Sequence, residues 1–375
     1  MIEQILDRCI VENSSDIHII LDSKNSIRHK TQIRVEKDIP PVTSEEFDVF
    51  MKKILRKNKY QEYQDMINGS SLNAVDYSFH YKGRRFRGNA CLASSGISVS
   101  LRLLSETIMT IDQLSLPPRF HMLPKLHDGL VLVCGTTGSG KSTTLASVVD
   151  EINELYSRHI ITIEDPIEYV YTEKKSIIMQ REVGAHVPSF ADGVVDAMRQ
   201  DPDVILVGEL RDLKTIQSAI TAAETGHLVL GTIHTKSVYE AVDRIVDVFP
   251  SAQQQQVRVQ FASVAKAIIQ QSLHKSKKTG KVVPINEILM VDSTISNMIK
   301  NQQPQNSIHD YMRTKTENGN MDLVQNCIWH IEKGHLERAD ITDAILSKEN
   351  MNLFLSALRS ENQQQPAWKT NFNRK

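Results

Sequence analysis

The sequence lacks paired cysteines, any long apolar run, and any excess of charge of one sign. Its four cysteines (Cys9, Cys91, Cys134, Cys327) lie far apart and form no Cys-x-x-Cys pair. That spacing argues against a zinc site and fits a reducing cytoplasm. No apolar run approaches the ~20 residues that span a bilayer, and no charged-then-apolar leader opens the chain. A role at a membrane is therefore expected only from the cytoplasmic side and through partners. Lys plus Arg total 44 against 45 for Asp plus Glu, a formal net charge of -1. With no global basic excess, no nucleic-acid partner is expected. Two local clusters remain: Arg84, Arg85 and Arg87 around Phe86, and Lys275, Lys277 and Lys278, which read as a solvated loop.

What is present is ordinary globular composition at a length that exceeds one domain. The chain has 375 residues, 40% hydrophobic and 24% charged, enough for two or three domains with a sizeable core. Residues 1–103 mix strand-like runs (Ile17 to Leu21, Ile97 to Leu103) with helical stretches such as Phe47 to Leu55, a small α/β domain. Residues 104–118, ending in a Pro-Pro stop, read as a linker. Across 119–290, apolar strands at Leu130 to Cys134, Ile160 to Ile163, Val204 to Val207 and Leu228 to Ile233 alternate with helices, which predicts a parallel sheet covered on both faces. Val257, Phe261, Val264, Ile268 and Ile269 keep helical spacing and predict one amphipathic helix. Residues 291–360 read as polar and helical, and the Gln-rich 361–375 as a disordered tail.

The most informative stretch is Gly135-Thr136-Thr137-Gly138-Ser139-Gly140-Lys141-Ser142-Thr143, which matches the phosphate-binding loop. Its glycines permit positive φ and let backbone N–H groups approach an oxyanion. Lys141 supplies charge for the β and γ phosphates, and the Ser142 hydroxyl is placed to ligate Mg²⁺. An apolar strand precedes the loop and a helix with one buried face (Leu145, Val148, Val149, Ile152, Leu155) follows it, so the helix N-terminus aims at the phosphates. Nucleoside triphosphate binding follows from this order.

Other candidates lie at strand ends. Val204 to Val207 leads to Gly208 and Glu209, a carboxylate able to hold Mg²⁺ or orient the attacking water. Glu164, Asp165 and Glu168 flank Pro166 after another strand; acids at strand ends are common, so this cluster alone does not decide between surface and site. His227 and His234 bracket Leu228 to Ile233. A histidine there can bond the γ-phosphate, although a lone histidine is more often structural. Arg87 and Arg102, on strand-like segments of the first domain, suit either surface salt bridges or completion of a phosphate site in trans.

Together GTTGSGKST, ITIEDPIEY (Ile161 to Tyr169), DPDVILVGELRD (Asp201 to Asp212) and AAETGHLVLGTIHT (Ala222 to Thr235) resemble the Walker A, Asp-box, Walker B and His-box elements of secretion-type motor ATPases. Among them the chain is most similar to the type IV pilus retraction (twitching motility, PilT) family. The resemblance implies a homohexamer in which each subunit pairs a PAS-like N-terminal domain with a RecA-like motor and binds ATP and Mg²⁺ between them. It also implies a partner, the pilus platform protein of the inner membrane, at which the motor would be peripheral. By motif position Glu209 would be the catalytic glutamate, Glu164 its Asp-box partner, His227 and His234 the His-box pair, and Arg87 and Arg102 the nucleotide-sensing arginines. Two departures stand out. Thr136 replaces a common proline, and Thr294 to Asn301 reads TISNMIKN where the family's C-terminal motif is close to AIRNLIRE. A secretion or conjugation motor and a non-hydrolysing nucleotide-binding scaffold are the alternatives. Missing Cys-x-x-Cys elements favour the retraction branch.

Overall fold

The computed structural model describes residues 1–29, 32–69, 73–104 and 107–360. The expected disordered tail and residues 105 and 106 of the expected linker lie outside the described residues. The chain divides into two compact units: Met1–Thr107 with Pro166–Val170, and Ile108–Asp165 with Tyr171 onward.

The first unit holds α1 (Ile2–Val11), β1 (Asp16–Ile20), β2 (Lys24–His29), β3 (Gln32–Val35), α2 (Ser44–Ile54), α3 (Lys57–Ile67), β4 (Ala74–Tyr81), β5 (Arg84–Ala93) and β6 (Gly96–Leu103). The strands form an antiparallel sheet in the order β3-β2-β1-β6-β5-β4. Alternation along β4 buries Val75, Tyr77 and Phe79 and leaves Asp76 exposed, the pattern of a sheet with one covered face. Phe79 lies opposite Phe86 with stacked rings 5.4 Å apart, and Phe50 meets Phe79 edge-on at 5.3 Å. Thr43 starts α2 by accepting from the Glu46 amide at 3.1 Å, which satisfies one of the orphan donors of a helix start.

The second unit opens with Ile108 to Pro118, whose Ile111 and Leu116 are buried in it. Then follow β7 (Gly129–Cys134), α4 (Lys141–Leu155), β8 (His159–Glu164), β9 (Ile177–Glu182), α5 (Phe190–Ala197), β10 (Val204–Val207), α6 (Leu213–Glu224), β11 (Leu228–Ile233), α7 (Val238–Asp247), α8 (Ser251–Val264), β12 (Ala265–Lys275) and β13 (Val282–Met290). The sheet runs β13-β12-β7-β11-β10-β8-β9, parallel except for β13 against β12. Strands β7, β10 and β11 are buried along their whole length, as unbroken apolar runs require when helices cover both faces. Leu145, Val148, Val149 and Ile152 of α4 are buried while Leu155 is half exposed.

One expected element divides in two. The helix ends at Val264, and Ile268 and Ile269 belong to β12. Because Ala267 to Gln271 of β12 are buried without a break, this stretch carries no alternation to distinguish it from a buried helix.

The chain closes with α9 (Ser293–Lys300), α10 (Gln305–Thr314), α11 (Leu323–Glu332) and α12 (Lys348–Ser360). Ile295, Ile299, Ile308 and Met312 join the main core. Val324, Cys327, Ile328 and Phe354 instead pack with Val283 and Ile285 of β13 in a smaller cluster. Among the described residues, no helix is long and apolar enough to cross a membrane.

Candidate nucleotide site

Four neighbouring parallel strands end on one edge of the sheet: β7 in the phosphate loop, β11 at His234, β10 before Glu209 and β8 at Glu164. Crevices beyond the carboxyl ends of such strands are where open α/β sheets bind ligands.

The loop itself is held by backbone geometry and a lysine. Gly138 and Gly140 have φ of 79° and 82°, a region that side chains rarely adopt. Lys141 Nζ donates to the carbonyls of Gly135 at 2.9 Å and Thr136 at 3.1 Å. Its ammonium is therefore already inside the loop. Thr136, Thr137, Gly138 and Ser142 face solvent, whereas Ser139 and Lys141 are buried.

Beneath the loop lies a polar network that sequence reasoning missed. Gln271 of β12 donates to the Ser139 carbonyl at 2.7 Å and accepts from Thr144 Oγ1 at 2.8 Å and Asn286 Nδ2 at 3.0 Å. Asn286 N in turn donates to Asn326 Oδ1 on α11 at 3.0 Å. These amides are at most 1% exposed, and a buried polar group without such partners is costly. The signal that could have revealed them was a Gln pair inside an apolar stretch.

The carboxylates come together as the strand order requires. Ile163 lies opposite Val207, and Gly208 N donates to Ile163 O at 2.8 Å, so Glu164 and Glu209 leave adjacent strands. Glu164 accepts from Thr162 Oγ1 at 2.7 Å and Gln180 Nε2 at 3.2 Å. His234 Nε2 lies 3.8 Å and Arg211 Nη1 4.0 Å from the Glu209 carboxylate. The Glu209 side chain is 31% exposed and that of His234 42%, so both remain open to a ligand.

The other candidates lie on other segments of the chain. His227 stands at the opposite edge of the sheet: its carbonyl accepts from Gly129 N at the start of β7, and its ring Nδ1 is 2.9 Å from Ala222 O. Six residues of β11, about 20 Å of strand, separate it from the His234 end. Of the expected His-box pair, the structure places His234, and not His227, at the carboxyl ends of these strands. Arg87 and Arg102 lie opposite each other on β5 and β6 of the first unit, where Arg102 Nε binds Asp16 Oδ1 at 2.9 Å.

Beside Gly140, Thr143 and Thr144 opens a cavity of about 680 Å³, walled by Met109, Gln113, Leu273, Pro284 and His335. Its size and mixed lining suit a small organic ligand.

Residues 1–343 match the family model described as Type II/IV secretion system protein. The chain belongs to that family. Within it, the chain is 39% identical over 290 residues to a twitching motility protein of Neisseria gonorrhoeae, covering 77% of this chain and 76% of that one. It is 37% identical to the type IV pilus retractation ATPase PilT of Pseudomonas aeruginosa, over 77% of this chain and 82% of that one. Among solved structures it resembles the pilus retraction motor PilT with bound ADP, at a TM-score of 0.82 and 37% identity over 93% of this chain and 98% of the other. The expected likeness to the pilus retraction ATPases is borne out, as is the α/β fold with its smaller N-terminal unit and C-terminal helices. Nucleotide binding, expected from the loop, accords with the ADP in that relative.

Proposed function

We propose that this chain is an ATP-hydrolysing motor that powers the retraction of type IV pili. The observation that carries the reading is the convergence of the phosphate loop, Glu164, Glu209 and His234 on one edge of the sheet, in a family whose relatives include pilus retraction ATPases. In it, the loop amides of Gly135 to Thr143 cradle the phosphates and Lys141 turns from the loop carbonyls onto them. The base and ribose occupy the cavity beside Thr143. Glu209 orients and deprotonates the attacking water, and His234 steadies Glu209 and senses the terminal phosphate.

The donors fit Mg²⁺: an exposed Ser142 hydroxyl at the start of α4 and the half-exposed Glu209 carboxylate are hard oxygen ligands. Among the described residues no cluster of His, Cys, Asp or Glu could hold a metal by itself, which suits an ion brought in with the nucleotide's phosphates. When bound, Mg²⁺ neutralises charge on those phosphates.

The working form is a homohexamer, with Arg87 and Arg102 as nucleotide-sensing arginines. Turnover moves the subunits against one another and drives a pilus platform protein in the inner membrane, where the motor sits peripherally. The test is phosphate release by the purified full chain with ATP and Mg²⁺, alongside its mass in solution. Turnover that disappears with Glu209→Gln while nucleotide still binds supports the reading. Binding without turnover in the wild type leaves a nucleotide-binding scaffold.

A further inference from the structure

One wall of the cavity beside the phosphate loop is a short irregular segment, to which Met109, Asp112, Gln113, Leu114 and Ser115 contribute. The segment folds on itself as a tight turn. Thr110 N donates to Gln113 Oε1 at 2.9 Å, and Gln113 N donates to Thr110 Oγ1 at 3.2 Å. Leu114 N reaches the Thr110 carbonyl at 3.0 Å, and Ile111 and Leu116 are buried. Ser147, a buried residue of α4, donates to the Met109 carbonyl and so holds the first end of the turn on that helix.

The second tie is a histidine that the hydrolytic site as described does not use. His121 lies in the 3-10 helix Pro118–Lys125, which follows the segment. Its Nδ1 is 2.8 and 2.9 Å from the two carboxylate oxygens of Glu151 on α4, and its Nε2 is 3.3 Å from Asp112 Oδ1. An ionised carboxylate only accepts hydrogen bonds. A ring with a carboxylate at each nitrogen must therefore donate from both, which only imidazolium does. Neutral imidazole has one N–H; the shorter contact to Glu151 takes it, and Asp112 is released. Phe120 and Leu123 are buried and keep the 3-10 helix in the core whichever form the ring takes.

We propose that His121 is a positioning residue for nucleotide binding: as imidazolium it clamps Asp112 to α4 and so fixes the cavity wall that the base and ribose meet. The proposal rests on the reading of that cavity as the base and ribose site. A wall that is already fixed need not be ordered when the ligand arrives, which favours binding. The charged groups facing the ring are Asp112 from the turn and Glu151 from α4. Arg119, on the same 3-10 helix, donates to the Thr316 carbonyl at 2.6 Å. Burial disfavours the charged ring, but Glu151 and then Asp112 outweigh it and raise His121 above the ordinary 6.5. The clamp is thus complete below pH 6.5 and lost as pH rises through the raised value. The Asp112 side chain is 81% exposed, so water screens its pair and the effect is modest.

The experiment measures equilibrium binding of ATP and of inorganic tripolyphosphate, each with Mg²⁺, across pH 5.5–9. It uses full-length wild type, His121→Leu and Asp112→Asn; the last alters only an exposed side chain and keeps the fold. Tripolyphosphate occupies the phosphate loop alone, and comparing variant with wild type at each pH cancels the titration of the ligands. Below pH 6.5 both variants should bind ATP about two- to fivefold more weakly than wild type. That ratio should shrink towards one as the pH approaches 9, while tripolyphosphate binds all three proteins alike. A deficit that stays flat with pH, or an equal deficit for tripolyphosphate, overturns the proposal. Wild type that holds tripolyphosphate as tightly as ATP overturns the reading of the cavity as the base site. A wild-type preference for ATP that both variants keep in full overturns the clamp alone.

Discussion

Gln271 donates a 2.7 Å hydrogen bond to the carbonyl of Ser139, 132 positions away, and so holds the phosphate loop from a neighbouring strand. Leucine at this position would leave the Ser139 carbonyl, the Thr144 hydroxyl and the Asn286 amide buried without that partner. Each unmade buried bond costs about 1–3 kcal/mol. Gln271→Leu should lower Tm by several degrees and weaken nucleotide binding about tenfold. Calorimetry with a fluorescent-nucleotide titration checks both. Unchanged affinity would show that the loop holds its shape unaided.

Hydrolysis and binding should separate at the carboxylates. Glu209→Gln keeps the shape of the side chain but removes the base, so kcat should fall about 10²–10⁴-fold while nucleotide affinity stays near wild type. Phosphate release and equilibrium binding on the same preparation test this. Equal losses in both would make Glu209 a binding residue.

Gly140 shows what the loop demands of its backbone. At φ of +82°, an added Cβ would also lie 3.0 Å from Gln271 Nε2. Gly140→Ala should therefore cost about 1–2 kcal/mol of strain, displace Gln271 and weaken nucleotide binding. An isothermal titration reads the loss, and a wild-type Kd would rule out the strain.

Stability should depend on pH at Glu287. Its carboxyl is raised from an ordinary 4.5 to about 7 by burial, so the folded state binds the proton more tightly than the unfolded one. The stabilisation from this is complete below pH 4.5 and lost as pH rises through 7. By pH 7 the loss amounts to at most roughly 3 kcal/mol. Glu287→Gln, which does not ionise, should gain in Tm over wild type across that interval. A Tm difference that does not change with pH would mean that Glu287 ionises normally.

Much of this site could be read from the sequence because its parts are local. The phosphate loop, Glu209 and Glu164 each follow an apolar strand directly, and strand order then brings their ends together. His227 shows the limit. The motif links it to His234, but the strand between them carries the two to opposite edges. Gln271 and Asn286 are not legible because their roles depend on pairing between β12 and β13, and the apolar period of the preceding helix runs on into β12. Val257, Phe261, Val264 and Ile268 continue a helical period, and a stretch of strand buried without a gap offers no alternation to break it.

Pilus number on living cells tests the central claim most directly. In the native host carrying Lys141→Ala, the account predicts more surface pili than wild type together with lost twitching, because assembly continues while retraction stops. Cells bare of pili would mean that the motor drives assembly. Unchanged pili and motility would contradict a pilus role and point to a secretion or conjugation motor.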